Sequence, residues 1–307
     1  MSMPEGHLPA GAERSAGSKK QLLTEPEMRS MVSDSLTTLA GELAQGKSEH
    51  LLTYLDFASR FHHYSRANQW LILMQNPDAT RVASYKKWQD EGYQVAKGET
   101  GIRILAPRFQ KVEDKETGEE KRAVTGFFPV SVFDISQLME DNRPPEFFSA
   151  IEGDADALYE CLRAAATADG FSVEESPHTR GAEGFSQGRR LITRTGLPSM
   201  NRALTALHEY THGLLHQGVT EISEERPLSY ELKECHAEAT AYVVARHFKL
   251  PTPFSSDYII QWGGTPERLR SELDSVMKAA SHIIIAVHAQ LPDELHEDPE
   301  DPSLDTP

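Results

Sequence analysis

Apolar residues recur at three- and four-residue steps from Glu25 to about Leu43, through Met28, Met31, Val32, Leu36, Leu39 and Leu43. That period puts them on one stripe of a helix. The same rhythm returns over Leu51–Ala58 and over Ser65–Gln75. The last of these stops before Asn76-Pro77, because proline disfavours helix in the residue preceding it. Past Pro77 the period changes. Gln94-Val95, Ile102–Leu105, Val124–Phe128 and Val130–Phe133 read as short strands, and the charged run Lys115–Arg122, with its glycine, predicts a solvated hairpin tip.

Asp141-Asn142-Arg143-Pro144-Pro145 is the strongest break in the middle of the chain. It predicts two domains, over 23–138 and 151–290, joined by a linker at 139–150. The second stretch predicts a helix at Asp154–Ala168 and weak strands between spaced glycines, the best being Arg190–Arg194. Helices follow near 200–216, 229–247 and 266–289. Residues 1–22 lack an apolar period, and 291–307 hold seven acids, four prolines and no base. Both read as disordered tails.

The charge balance qualifies this outline. The 307 residues carry a formal charge of −16, and the excess lies in residues 139–307, with fourteen basic and twenty-nine acidic side chains. Residues 51–138 are nearly balanced, with twelve basic and eleven acidic. The whole chain is therefore poorly suited to nucleic acid, whereas its first half can carry a basic face. The longest apolar run, Ile283–Val287, is far short of the ~20 residues of a membrane span. The N-terminal residues show no secretory signal. Cys161 and Cys235 alone make no disulfide framework, so a cytoplasmic setting is expected.

The candidate chemistry begins at His208-Glu209-Tyr210-Thr211-His212. Residues four apart share a helix face, so the two imidazoles can grip one cation while Glu209 reaches a water beside it. Zinc needs a third protein ligand. His216 would lie ~12 Å from His208 along one helix, too far for both to hold one ion; it reads as a helix-end or substrate-side residue. Glu234 is the better candidate, twenty-two residues after His212, which leaves room for a loop and an antiparallel return. Glu238 lies one turn on and could accept the free N–H of a ligating histidine. Cys235 and His236 are softer alternatives. The constellation predicts a zincin-like, gluzincin-type helical domain with a short sheet, holding one Zn2+. There Glu209 would act as general base for peptide hydrolysis. Arg190–Arg194 could serve as an edge strand for an extended peptide. For an oxyanion donor only Tyr230 and His236 suggest themselves.

In the first half, Lys86, Lys87, Lys97, Arg103 and Arg108 are interleaved with Trp88 and other aromatics. Cations that track phosphates and rings that stack on bases are the ingredients of single-strand binding. Phe61-His62-His63-Tyr64-Ser65-Arg66-Ala67-Asn68-Gln69, then Trp88, Gly92, Lys97-Gly98-Glu99, Ile102–Pro107 and Pro129–Gln137, resemble the single-strand-DNA-binding domain of ArdC-type antirestriction proteins. His208–His212 with Glu234–Glu238 resemble the zinc metallopeptidase-like domain of the same proteins, related to the ImmA/IrrE peptidases. The resemblance covers about residues 25–250. It implies an α+β fold and a plasmid- or phage-type protein that binds entering single-stranded DNA and counters restriction. It also implies His208, His212 and Glu234 as metal ligands, with Glu209 as base. Two alternatives are a regulatory protease that cleaves a repressor-like protein, and a DNA-binding protein with a structural metal.

Overall fold

In a computed structural model, residues 22–113, 120–144, 151–179, 181–224, 226–252 and 265–291 are described. The expected tails, the residues 114–119 of the hairpin tip and 145–150 of the linker lie outside them, save for residues 22 and 291 at the tail edges. Helix α1 (Glu25–Leu43) starts where the Thr24 N–H donates to Glu27 Oε2 at 2.7 Å, half of a capping box. α2 (Glu49–Arg60) and α3 (Arg66–Gln75) follow. Ser65 caps α3 by accepting from the Asn68 N–H, and the helix ends before Asn76-Pro77 as its sequence predicts.

A short strand β1 (Val82–Ser84) leads into α4 (Tyr85–Asp90). The apolar runs expected as separate strands fuse into two long ones, β2 (Ile102–Glu113) and β3 (Glu120–Asp134). They pair antiparallel from Ile102↔Val132 to Glu113↔Glu120, giving a sheet of order β1-β3-β2. Pro129 interrupts the apolar pattern but not the ladder, because β1 pairs only with Val132–Asp134 and leaves that stretch of β3 paired on one side. Gln94-Val95 forms no strand; Val95 makes a single bridge to Leu138.

Asp154 caps α5 (Ala155–Ala168) by accepting from the N–H groups of Asp156 and Ala157. A second sheet follows from β4 (Ser172–Ser176), β5 (Gly184–Gln187) and β6 (Arg190–Arg194), in the order β4-β6-β5, with β4 parallel and β5 antiparallel to β6. This corrects one expectation. Arg190–Arg194 is the central strand and has neighbours on both sides, so it offers no free backbone to a peptide. β5 is an edge. Helices α6 (Ser199–His216), α7 (Tyr230–His247) and α8 (Pro266–His288) complete the fold.

Among the described residues the result is a mixed α and β architecture with two small sheets. One apolar core runs through most of it, joining Leu39, Leu51 and Tyr54 of α1 and α2 to Leu158, Leu207, Val243 and Ile283 of α5–α8. A smaller cluster under the first sheet contains Phe61, Ile72, Val82, Ile104 and Val132. Ion pairs cross between the halves as well: Arg246 Nε to Asp56 Oδ1 at 2.5 Å, and Arg66 Nε to Asp274 Oδ1 at 2.6 Å. No described helix is long and apolar enough to cross a membrane.

Candidate metal centre

α6 carries His208 and His212 one turn apart on a face turned to α7. Its opposite side is packed so tightly that position 213 admits only glycine. A Cβ there would stand 2.7 Å from the Phe171 ring and 3.1 Å from Leu191. α7 runs back alongside, capped by Ser229 accepting from the Leu232 N–H, and brings Glu234 opposite the two rings. The Nε2 atoms of His208 and His212 are 3.0 Å apart. Each is 3.3 Å from a Glu234 oxygen. All three donor atoms lie within 4.8 Å of one another. Two ring nitrogens and a carboxylate, converging without a basic side chain among them, fit a divalent cation with a position left open.

The next turn of α7 places Glu238 Oε1 3.2 Å from His208 Nδ1, where it can accept that ring's N–H and aim Nε2 at the centre. Electrostatics favour positive charge here. Burial pushes the His208 ring down, but Glu234 and Glu238 outweigh it and raise its pKa to about 10. Burial raises the Glu234 carboxyl, and His208 and His212 overcome it, leaving the group well below the ordinary carboxylate range. Glu209 behaves differently. Only 7% exposed, it is raised by burial more than His208 and His212 lower it, which moves the carboxyl toward neutral pH.

These groups open on a cleft of about 710 Å³, whose far wall is Gly184, Phe185 and Ser186 of the edge strand β5, with Tyr230 and Tyr242 at α7. Gly184 lets β5 approach. A Cβ would meet Ile192 O at 2.7 Å and Glu209 Cγ at 3.1 Å. Tyr230 is 72% exposed at the cleft edge. His236, by contrast, is fully buried behind the centre and cannot serve as an oxyanion donor. Cys235 is core. His216, at the end of α6, borders the cleft and sits behind His212, their Nδ1 atoms 2.9 Å apart. Burial, then His212 and His236, lower its pKa to about 2.

The basic residues of the first half are less concentrated. Lys86, Lys97 and Arg108 are exposed. Lys87 pairs with Glu91 at 3.5 Å, and Arg103 Nη1 donates to Ser131 Oγ at 3.1 Å. Lys86 follows the Ser84 end of β1, while Arg108 lies six residues along β2, roughly 20 Å away at ~3.3 Å per residue. Trp88 departs from its expected role. Its ring is wholly buried, its N–H donates to Phe133 O at 2.8 Å, and Arg81 lies over its face at 5.0 Å. No face remains for a base. Among the described residues, the exposed aromatics here are Tyr85 and Phe127.

Residues 27–133 match the family model for the N-terminal domain of anti-restriction factor ArdC. This part of the chain is thus similar to an ArdC-type N-terminal domain. The uncharacterized protein pXO2-81 of Bacillus anthracis is 25% identical over 273 residues, covering 75% of this chain and 46% of the relative. The chain thus spans about half the length of that curated relative. Two crystal structures of the antirestriction ArdC protein from plasmid R388 are also similar. The metal-free form has a TM-score of 0.45 at 19% identity, and the Mn(II)-bound form 0.47 at 17%. Each comparison covers 84% of this chain and 95% of the other.

Proposed function

We propose that the chain is an ArdC-type antirestriction protein acting in the cytoplasm, with two cooperating parts. Residues 23–138 bind single-stranded DNA. Residues 151–290 form a zinc peptidase-like unit that cleaves a protein or peptide. The observation that carries the second claim is the convergence of His208, His212 and Glu234 from α6 and α7, with Glu209 beside them in an open cleft.

His208, His212 and Glu234 would hold the ion, zinc being the usual occupant of such a donor set. When bound, the ion supplies Lewis acidity, which makes nearby water more acidic and a carbonyl more electrophilic. The chain's own residues do the rest. β5, an edge strand among the described residues, offers its backbone to an extended peptide and sets it across the cleft. Glu209 takes a proton from water at its carboxylate and returns it to the leaving amine. Glu238 holds His208 in register. Exchange of Glu209 for Gln tests this directly. Metal content should stay at the wild-type level, while peptide hydrolysis falls roughly 10²–10⁴-fold. Unchanged hydrolysis would refute the role of Glu209.

DNA binding rests on the ArdC-type domain and on the exposed cations Lys86, Lys97 and Arg108. Affinity for single strands should fall steeply with salt, because phosphate contacts release counterions. Replacing Arg108 by Ala should flatten that slope. A salt-independent affinity would contradict the assignment.

A further inference from the structure

The cleft beside the candidate metal centre is not charged evenly along its length. β5 runs beside α6 in the same direction. Gly184 lies against Thr205 and Glu209, and farther on Gln217 Nε2 donates to Ser186 Oγ at 3.3 Å. α7 runs the other way, so that Glu238 faces His208 while Glu234 spans His208 and His212. Lys233 and Tyr230, earlier on α7, therefore fall at the His216 end of the cleft, where Ser186 and Gln217 form the other wall.

Four carboxylates line this cleft: Glu183, Glu209, Glu234 and Glu238. Three of them face a basic group. Arg194 lies 3.4 Å from Glu183, and Glu234 and Glu238 face the His208 and His212 rings. Lys233 is the one lysine or arginine among the described residues that line the cleft. It is half-buried, and among the described residues no carboxylate stands within ion-pair distance of it. A cation without a counter-charge in a concave site attracts an anion and repels a second cation. An acidic group placed at the Glu183 end meets a carboxylate instead. Attraction at one end and repulsion at the other together select one register of a charged chain.

We propose that Lys233 defines a subsite for an acidic side chain, aspartate or glutamate, of an extended peptide held in the cleft. The proposal rests on the peptide reading above. β5 sets the spacing. Gly184 marks the level of Glu209, and Ser186 marks that of Gln217 and Lys233. Two strand residues at ~3.3 Å each separate the levels by roughly 7 Å. The acidic residue therefore stands about two positions along the peptide from the bond beside Glu209.

The test uses the full chain with short fluorescein-labelled peptides, neutral except for one central residue that is Glu, Gln or Lys. Binding is read by fluorescence anisotropy in Glu209→Gln with Zn2+ added, so that peptides stay uncut. The Glu peptide should bind tightest and the Lys peptide weakest, roughly 3–10-fold apart at low salt. The gap should close as salt rises. Adding Lys233→Glu should reverse the order, and adding Lys233→Gln should erase it. Both variants are checked for a wild-type circular dichroism spectrum; should the Glu exchange not fold, the Gln exchange decides. An order that survives the exchange of Lys233 would overturn the subsite, and so would equal binding of the three peptides or no binding of any. The wild type, given the same peptides and read by mass spectrometry, separates the two claims. The expected binding order with no peptide cut would sink the hydrolytic reading and leave the subsite standing. Cleavage of all three at equal rates would overturn the subsite alone.

Discussion

Trp88 illustrates how a single residue's chemistry can be read in two ways. An aromatic among lysines suits base stacking, but the neighbours of Trp88 in space are Ala83, Val95 and Leu138, not solvent. Its sequence context shows the cations and hides the packing. Trp88→Ala should therefore cost about 3–5 kcal/mol of stability, seen as an earlier midpoint in urea. A stable variant with weakened DNA binding would restore the stacking role. The convergence of His208, His212 and Glu234 was legible for the opposite reason. His208, Glu209 and His212 lie within one turn and a bit of helix, where spacing fixes geometry. Glu234 followed from the length of an antiparallel return. The burial of His236 against Glu272 was not legible, because that contact spans 36 positions and depends on where α8 docks. Glu209 carries a pH consequence. Its carboxyl is raised by burial, and the base must be ionised to act. The acid limb of the pH–rate profile should therefore lie above the ordinary glutamate value of about 4.3, and a limb below it would contradict this placement.

At the level of elements, the helices were well marked. The apolar period located α1 over Glu25–Leu43 and β6 over Arg190–Arg194 with the observed bounds. What periodicity cannot reveal is strand order, and so β6, the most apolar strand of its sheet, was expected at an edge. Its burial on both sides explains its composition, since Leu191, Ile192 and Thr193 are all buried. The weaker β5, with its glycine, is the strand that borders the cleft. Short α4 and β1 escaped notice because six and three residues show no period. Gly184 provides an element-scale test. Alanine there meets the Ile192 carbonyl, which is backbone and cannot swing aside. Gly184→Ala should push β5 from α6 and raise the KM for an extended peptide while metal content is retained. An unchanged KM would separate β5 from substrate binding.

Across the whole molecule, the apolar faces of α1 and α2 are covered by α8 and α7, so residues 23–138 expressed alone would lose that cover. DNA binding is best measured on the full chain. The seam also holds a histidine cluster. His247 Nδ1 donates to Ser59 O at 2.9 Å, its Nε2 lies 2.8 Å from His288 Nε2, and the His62 ring is 5.0 Å away. Burial lowers the His247 pKa to about 4, helped by His288, His63 and Lys249 but opposed by the Ser59 contact. His62 is lowered for the same first reason. A histidine whose folded pKa lies below its unfolded value of about 6.5 binds fewer protons when folded. Stability is thus complete above pH ~6.5 and declines as pH falls toward 4, by roughly 3 kcal/mol for His247 alone. The melting temperature should drop over that window, and His247→Asn should remove part of the drop; equal drops would exclude the cluster as its source. The proposed function depends on one divalent ion held between α6 and α7. Elemental analysis of the purified chain, wild type against His212→Ala, tests it most directly. One equivalent in the wild type and almost none in the variant is the expected result. No metal in the wild type, or equal amounts in both, would contradict it.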